Sequence, residues 1–301
     1  MSSPIKNVIV VGPGGNLGPG VINALVQSPH GYNVSALSRQ ESSYQPPEGV
    51  SLRKTDYTHD SLVEALKGQD AIVSAISKFP EQTKLIDAAV AAGVKRFIPS
   101  EFGSDSSHPL ARERVPAYQA KQAIRDYLQS KQDQIEFTAF ITGPFFELCL
   151  QSGFFGANLQ TGNATVDPKY KHTRFSVSNL PLICQAIAQA LSPALAAKTA
   201  NQILYVRSGT ISLEYILSVL RKVSGKEFPE TAFDFDTKVK EEQEKVQNND
   251  DNDVSENWVL IASIMLNPVC GNFDERGIVS NQLLGLPEQE DLEATIKAVV
   301  A

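Results

Sequence analysis

Cysteine is scarce in this chain: Cys149, Cys184 and Cys270 are the only three among 301 residues. So few and so scattered, they exclude a disulfide framework and a cysteine-rich zinc site. The four histidines, His30, His59, His108 and His172, show no His-x-His or His-Glu-x-x-His spacing, so no metal is expected. Positive charge is also short. Lys and Arg number 27 against 34 Asp and Glu, and the net charge of −7 disfavours nucleic acid or an anionic membrane as partner. No apolar run reaches the length of a membrane span, and Met1 to Lys6 lack the apolar region of a signal peptide. Repeats and low-complexity tracts are missing too. A reducing, cytoplasmic compartment is the expectation. What is present, 42% hydrophobic and 20% charged residues, is a globular composition long enough for one large or two unequal domains.

The stretch that organises the chain is Val8-Ile9-Val10-Val11 followed by Gly12-Pro13-Gly14-Gly15-Asn16-Leu17-Gly18. Four β-branched residues in a row read as a strand buried on both faces. The glycines fit Gly12-x-Gly14-x-x-x-Gly18 and Gly12-x-x-Gly15-x-x-Gly18, and Leu17, Val21, Ile22, Leu25 and Val26 then follow at helical spacing. Strand, glycine turn and helix together suggest a dinucleotide site, because a pyrophosphate must approach backbone N–H groups that a Cβ would shield. A glycine turn without a ligand is the plainer alternative. About 20 residues on, where NAD sites place a carboxylate for the ribose 2′-OH, stands Arg39. A guanidinium suits a 2′-phosphate, so NADP is favoured over NAD, although Glu41 lies close by.

Strands are expected at 33–38, 50–55, 71–76, 94–98 and 135–141, alternating with helices, which implies a doubly wound parallel sheet of the Rossmann type. Ser61 to Glu64 fits a capping box. Asp56 ends the third strand, near the adenine or simply as a loop carboxylate. Ser77 and Lys78 fall at the carboxyl edge, where ligands bind in open α/β sheets. Residues 1–150 are expected to form the cofactor domain and 151–301 mainly a smaller α/β substrate lobe. Phe175-Ser176-Val177 and 203–206 should return to the sheet. Phe154 to Asn163 reads as a loop covering a pocket, and 238–253 as a solvated helix with no apolar face that runs into a polar loop.

Pro99-Ser100-Glu101-Phe102-Gly103 ends the fifth strand and should face the nicotinamide end of a cofactor. On the next helix, Lys121 sits on or beside the apolar stripe of Ala117, Ala120, Ile124, Tyr127 and Leu128, with no carboxylate one turn away and Arg125 at i+4. Burial and a like charge both lower a lysine pKa, which suits a proton donor and acceptor near neutral pH. A lysine laying its stem on the helix with its head in water is the alternative. Tyr118 stands three residues before Lys121, one short of the Tyr-x-x-x-Lys pair of ordinary short-chain dehydrogenases, and reads as a packing aromatic.

Residues 11–18, Ser38-Arg39, Arg96 to Gly103 and Lys121-x-x-Ile124-Arg125 resemble the isoflavone reductase-like branch of the NmrA-like atypical short-chain dehydrogenases. The likeness covers most of the chain and loosens beyond residue 145. It implies that Lys121 is the catalytic acid/base, that Arg125 contacts the cofactor, and that Arg39 binds its 2′-phosphate. It also implies that Ser100, Glu101 and Phe102 line the nicotinamide pocket. Where plant members typically have Asn-Cys-Phe, this chain has Gly143-Pro144-Phe145, which can still border the nicotinamide without a side-chain amide. The expectation is an NADPH-dependent reductase of a small aromatic or polyketide-like molecule, acting as monomer or homodimer. A cofactor-sensing regulator or a non-redox isomerase or dehydratase on the same fold are the rivals.

Overall fold

The computed structural model describes residues 4–76, 79–248 and 257–301; Ser77 and Lys78 lie outside the described residues. The chain runs β1(Asn7–Val11), α1(Gly18–Val26), β2(Asn33–Arg39), β3(Ser51–Thr55), α2(His59–Leu66), β4(Ala71–Ser74), α3(Phe79–Ala91), β5(Arg96–Ile98), α4(Pro109–Arg114), α5(Pro116–Ser130) and β6(Glu136–Ile141). It continues through α6(Phe146–Gln151), β7(Ala157–Asn158), β8(Asn163–Val166), β9(Phe175–Val177), α7(Leu180–Ala190), α8(Ala196–Thr199), β10(Gln202–Tyr205) and β11(Gly209–Ile211). The last elements are α9(Leu213–Ser224), β12(Glu230–Ala232), α10(Phe235–Gln247), α11(Trp258–Met265), α12(Pro268–Gly271) and α13(Leu292–Val300).

Among the described residues, seven parallel strands form the main sheet in the order β10-β6-β5-β4-β1-β2-β3. This is a doubly wound Rossmann-like α/β fold. The period-two alternation of β1 explains its unbroken apolar run. Val8 and Val10 pack into the core shared with α1 and α7, whereas Ile9 and Val11 pack into the core shared with α2, α3 and α5. The order reverses between β1 and β4, so the crevice outside their carboxyl ends is where such a sheet takes a ligand. A third core, built from α4, α6, α9–α13 and the smaller sheets, fills the C-terminal lobe. No helix among the described residues is long and apolar enough to cross a membrane.

Several expectations are corrected. Only one of the two late strands returns to the sheet. β10 takes the free edge of β6, pairing Gln202 with Thr138, while β9 pairs antiparallel with β11 and buries Phe175 and Val177 in the C-terminal core. The run 154–163 is not loop throughout: it holds β7 and the turn of the β7–β8 hairpin, and the buried Phe155 stacks on Phe175. α10 does carry an apolar stripe: Val239 and Val246, two turns apart among the charges, align with Phe235, which lies three residues ahead of the charge-dense run. Phe235, Val239 and Val246 pack on the C-terminal core. The cap of α2 is Thr58, whose side chain accepts from Ser61 N; the Ser61 hydroxyl turns instead to Thr55. α7, the helix between those late strands, packs on α1, so residues late in the sequence cover the N-terminal half of the sheet.

Candidate functional site

The turn after β1 divides its glycines by task. Gly12 has φ +80°, and a Cβ there would stand 2.7 Å from the Ala75 carbonyl oxygen. Gly18 opens α1 so close to the Gly12 carbonyl that a Cβ would overlap it. These two let strand, turn and helix pack. Gly14 and Gly15 are different: they are exposed, and a Cβ on either would come no nearer than 3.5 Å to the protein, meeting Tyr44 and Gly12 respectively. Their bareness serves space outside the chain. α1 has no side-chain cap and no acid in its first turn, so its leading N–H groups are left for an anion. Pro13 and Leu17 are buried and hold the turn, while Asn16 is exposed.

A groove of about 420 Å³ starts at Gly12 to Gly15 and reaches Ser38 and Arg39, with Ser42, Tyr44, Tyr57 and Glu81 also on its walls. The Arg39 guanidinium is exposed and pairs with Glu41 at 3.5 Å. Tyr44, Tyr57 and Glu81 carry no signal in the sequence that would place them here. Tyr57 has φ +63°, an orientation that no local pattern announces. Burial, and secondarily Glu81, push its phenol above the ordinary tyrosine value, while Arg39 pulls it back. Asp56 is a loop carboxylate, accepting from Thr58 N at 2.9 Å and Thr58 Oγ1 at 2.7 Å. Those bonds hold its pKa below the usual carboxylate value.

At the end of β5 the chain enters a loop pinned from three sides. Ser100 N donates to the buried Gln82 Oε1 at 2.8 Å, a contact from α3 with no warning in the sequence. Phe102 stacks on Phe140 of β6, with ring centroids 6.1 Å apart. The Gly103 carbonyl accepts from Thr142 N at 3.0 Å and Gly143 N at 2.9 Å, joining this loop to the segment after β6. That segment is held in turn. Gly143 has φ +64° and lies against the Ser176 carbonyl, and Pro144 O accepts from Ser178 N at 3.1 Å. Half-buried Phe145 completes a bridge to Ser178.

Lys121 reaches this loop from α5. Its Nζ donates to the Glu101 carbonyl at 2.6 Å and lies 5.5 Å from the centre of the Tyr118 ring. Burial holds its pKa below the ordinary lysine value; Glu101 opposes that and Arg125 adds to it. Tyr118 is buried, which raises its phenol far out of the neutral range. The Glu101 carboxylate and the Arg125 guanidinium face each other at 2.6 Å with side chains 1% and 4% exposed. Both are therefore turned into the protein. Deeper still, Asp105 pairs with Arg276 at 2.6 Å under the Tyr205 hydroxyl, tying the loop to the C-terminal segment. No group of three or more His, Cys, Asp or Glu among the described residues could hold a metal.

The profile of the NmrA-like family matches residues 4–255. The chain belongs to that family. Among its relatives is Oxidoreductase aprR of Aspergillus flavus, 38% identical over 227 residues that make up 73% of this NmrA-like chain and 75% of that protein. Phenylcoumaran benzylic ether reductase Pyrc5 of Pyrus communis is 28% identical over 73% of this chain and 75% of its own. The fold also matches AtPrR2, solved with NADP+ and (+)pinoresinol, with TM-score 0.73 and 22% identity over 99% of this chain and 100% of that one.

Proposed function

We propose that this NmrA-like chain is an NADPH-dependent reductase of a small aromatic or polyketide-like molecule, with Lys121 as its acid/base group. The observation that carries the reading is the groove over Gly14 and Gly15, whose walls include Arg39. A Cβ at either glycine would fill space that the protein itself does not use. The residues present fit the cofactor. Backbone N–H groups at Gly14, Gly15 and the start of α1 would hold its pyrophosphate, and Arg39 its 2′-phosphate. Ser100, Phe102 and Gly143 to Phe145, on adjoining loops at the carboxyl edge, would border its nicotinamide.

When bound, the cofactor supplies a hydride. The chain does the rest. Lys121 Nζ, its pKa lowered by burial, holds or delivers a proton at the substrate oxygen as charge builds there. Its present acceptor, the Glu101 carbonyl, keeps the amine at the loop while leaving its other protons for substrate. Family relatives named as an oxidoreductase and as a benzylic ether reductase support the reaction class, and the pinoresinol-bound neighbour supports an aromatic substrate.

The test is a titration of the chain with NADPH and NADH, followed by NADPH oxidation with aromatic enones, benzylic ethers and quinones. Tighter binding of NADPH than NADH and turnover with one acceptor class are expected. Absence of binding by either nucleotide overturns the reading, and binding without oxidation of any acceptor points to the sensing role.

A further inference from the structure

One residue ties the loop after β5 to α5 twice. The Glu101 side chain meets Arg125, and its backbone carbonyl accepts Lys121 Nζ one helical turn earlier. We propose that Glu101 and Arg125 are positioning residues for Lys121. Their buried pair clamps the loop onto α5 so that the Glu101 carbonyl fixes the amine, and their opposite charges balance at it. The inference rests on the reductase reading for the role of Lys121. It departs from the family resemblance, which has both residues meeting the cofactor themselves.

Arg125 has little left to offer a ligand. One terminal nitrogen donates to Glu101 Oε1 at 2.6 Å and Ser106 Oγ at 2.7 Å, and the other to Ser106 O at 3.0 Å and Gln122 Oε1 at 2.6 Å. That engages both terminal nitrogens and leaves only Nε. Ser106 closes the ring, its hydroxyl donating to Glu101 Oε2 at 2.6 Å. A buried pair so fully hydrogen-bonded holds its geometry, whereas removing one partner leaves an uncompensated charge. Lys121 and Arg125 lie at i and i+4, on one face of α5. The clamp therefore fixes the carbonyl at a set height above the amine.

Among the described residues, the charges that act on the amine are Glu101 from the loop and Arg125 from α5. Tyr118, neutral through burial, lies beside it, and Asp105 beyond Tyr118 is neutralised by Arg276. Loss of the Glu101 charge leaves Arg125 unopposed and makes the ammonium harder to form. Loss of the Arg125 charge does the reverse. A residue that only supported the fold would not give shifts of opposite sign.

The experiment follows acetylation of Lys121 by acetic anhydride against pH in the full chain, read by mass spectrometry, beside kcat and the KM for NADPH. Glu101→Gln should move the amine's midpoint below that of the parent, and Arg125→Met above it. The double variant should return the midpoint towards the parent while kcat stays down by about tenfold or more, the amine being no longer fixed, with KM little changed. Shifts of the same sign, no shifts, or a double variant with parental kcat overturn the proposal. Should either single variant fail to fold, the double variant, which removes both charges together, decides on kcat alone. If Lys121→Ala keeps full turnover, the role given to Lys121 falls, while the two midpoint shifts still report on the clamp.

Discussion

Gly18 sits against the carbonyl of Gly12 with no room for a Cβ between them, while Gly14, four residues earlier, faces open groove. Identical residues in one turn therefore answer to different demands. Gly18→Ala should lower the melting temperature sharply, because its Cβ meets backbone that cannot swing away. Gly14→Ala should leave the melting temperature within a degree or two, but weaken NADPH binding by about tenfold or more, roughly 1.4 kcal/mol. Thermal unfolding and a binding titration on both variants separate the two. Equal loss of stability in each would show that no space is reserved for a ligand.

Arg39 and Glu41 make a second pair with a definite consequence. The guanidinium is exposed and held by one carboxylate at 3.5 Å, so a 2′-phosphate would compete with Glu41 for it. Arg39→Ala should weaken NADPH by about ten- to a hundredfold, the range of a charge-assisted contact, and leave NADH unchanged. Glu41→Gln should tighten NADPH by a few-fold at most, since exposed pairs are weak. Isothermal titration with both nucleotides reads this directly. A parallel fall in both affinities for Arg39→Ala would remove Arg39 from the phosphate site.

Much of this is readable in the sequence where local pattern and tertiary role coincide. β1 has to be buried on both faces because four β-branched residues leave no polar side, and Gly12 to Gly18 announce the turn. Lys121 is visible through its place beside the α5 stripe, and its lowered pKa through the burial that this place implies, with Arg125 at i+4 adding to it. The partners are not visible. Glu101 meets Arg125, and Asp105 meets Arg276 across 171 positions, only after helix and loop have packed. β9 goes astray for a related reason. A three-residue strand does not encode which edge it will join, and β10 fills the edge that β6 offers. α10 hides its stripe because Val239 and Val246 are spaced two turns apart among charged residues and Phe235 lies just ahead of the charge-dense run.

Lys121 also links pH to stability. Its pKa in the folded chain lies below the ordinary lysine value of 10.5 expected of the unfolded one, with burial the leading cause. Between those two values the unfolded chain binds more protons, so stability attributable to this residue rises with pH through that window. Below it the full desolvation cost of the half-buried ammonium is present. The parent should therefore gain on Lys121→Met as the pH climbs from neutral towards 10.5, read as the difference between their melting temperatures. A difference that stays flat would mean that the amine is fully hydrated in the folded chain.

The last pair joins the loop at the site to the far end of the chain. The Asp105 carboxylate is wholly buried, and it takes Arg276 at 2.6 Å, Ser107 N at 2.9 Å and the Tyr205 hydroxyl at 3.3 Å. Arg276 in turn stacks over the Tyr205 ring, 5.4 Å from its centre. Removing the guanidinium strands a buried anion, whereas removing both charges strands nothing. Arg276→Met should thus cost about 2–4 kcal/mol, and Asp105→Asn in the same chain should recover more than half of it. Denaturant unfolding of the two single variants and the double closes the cycle. Because Asp105 lies four residues from Glu101, Arg276→Met should lower kcat as well as stability, and the double variant should restore both together. Recovery of stability without kcat would mean that this tie holds the C-terminal segment but leaves the loop at Lys121 to the Glu101–Arg125 pair alone.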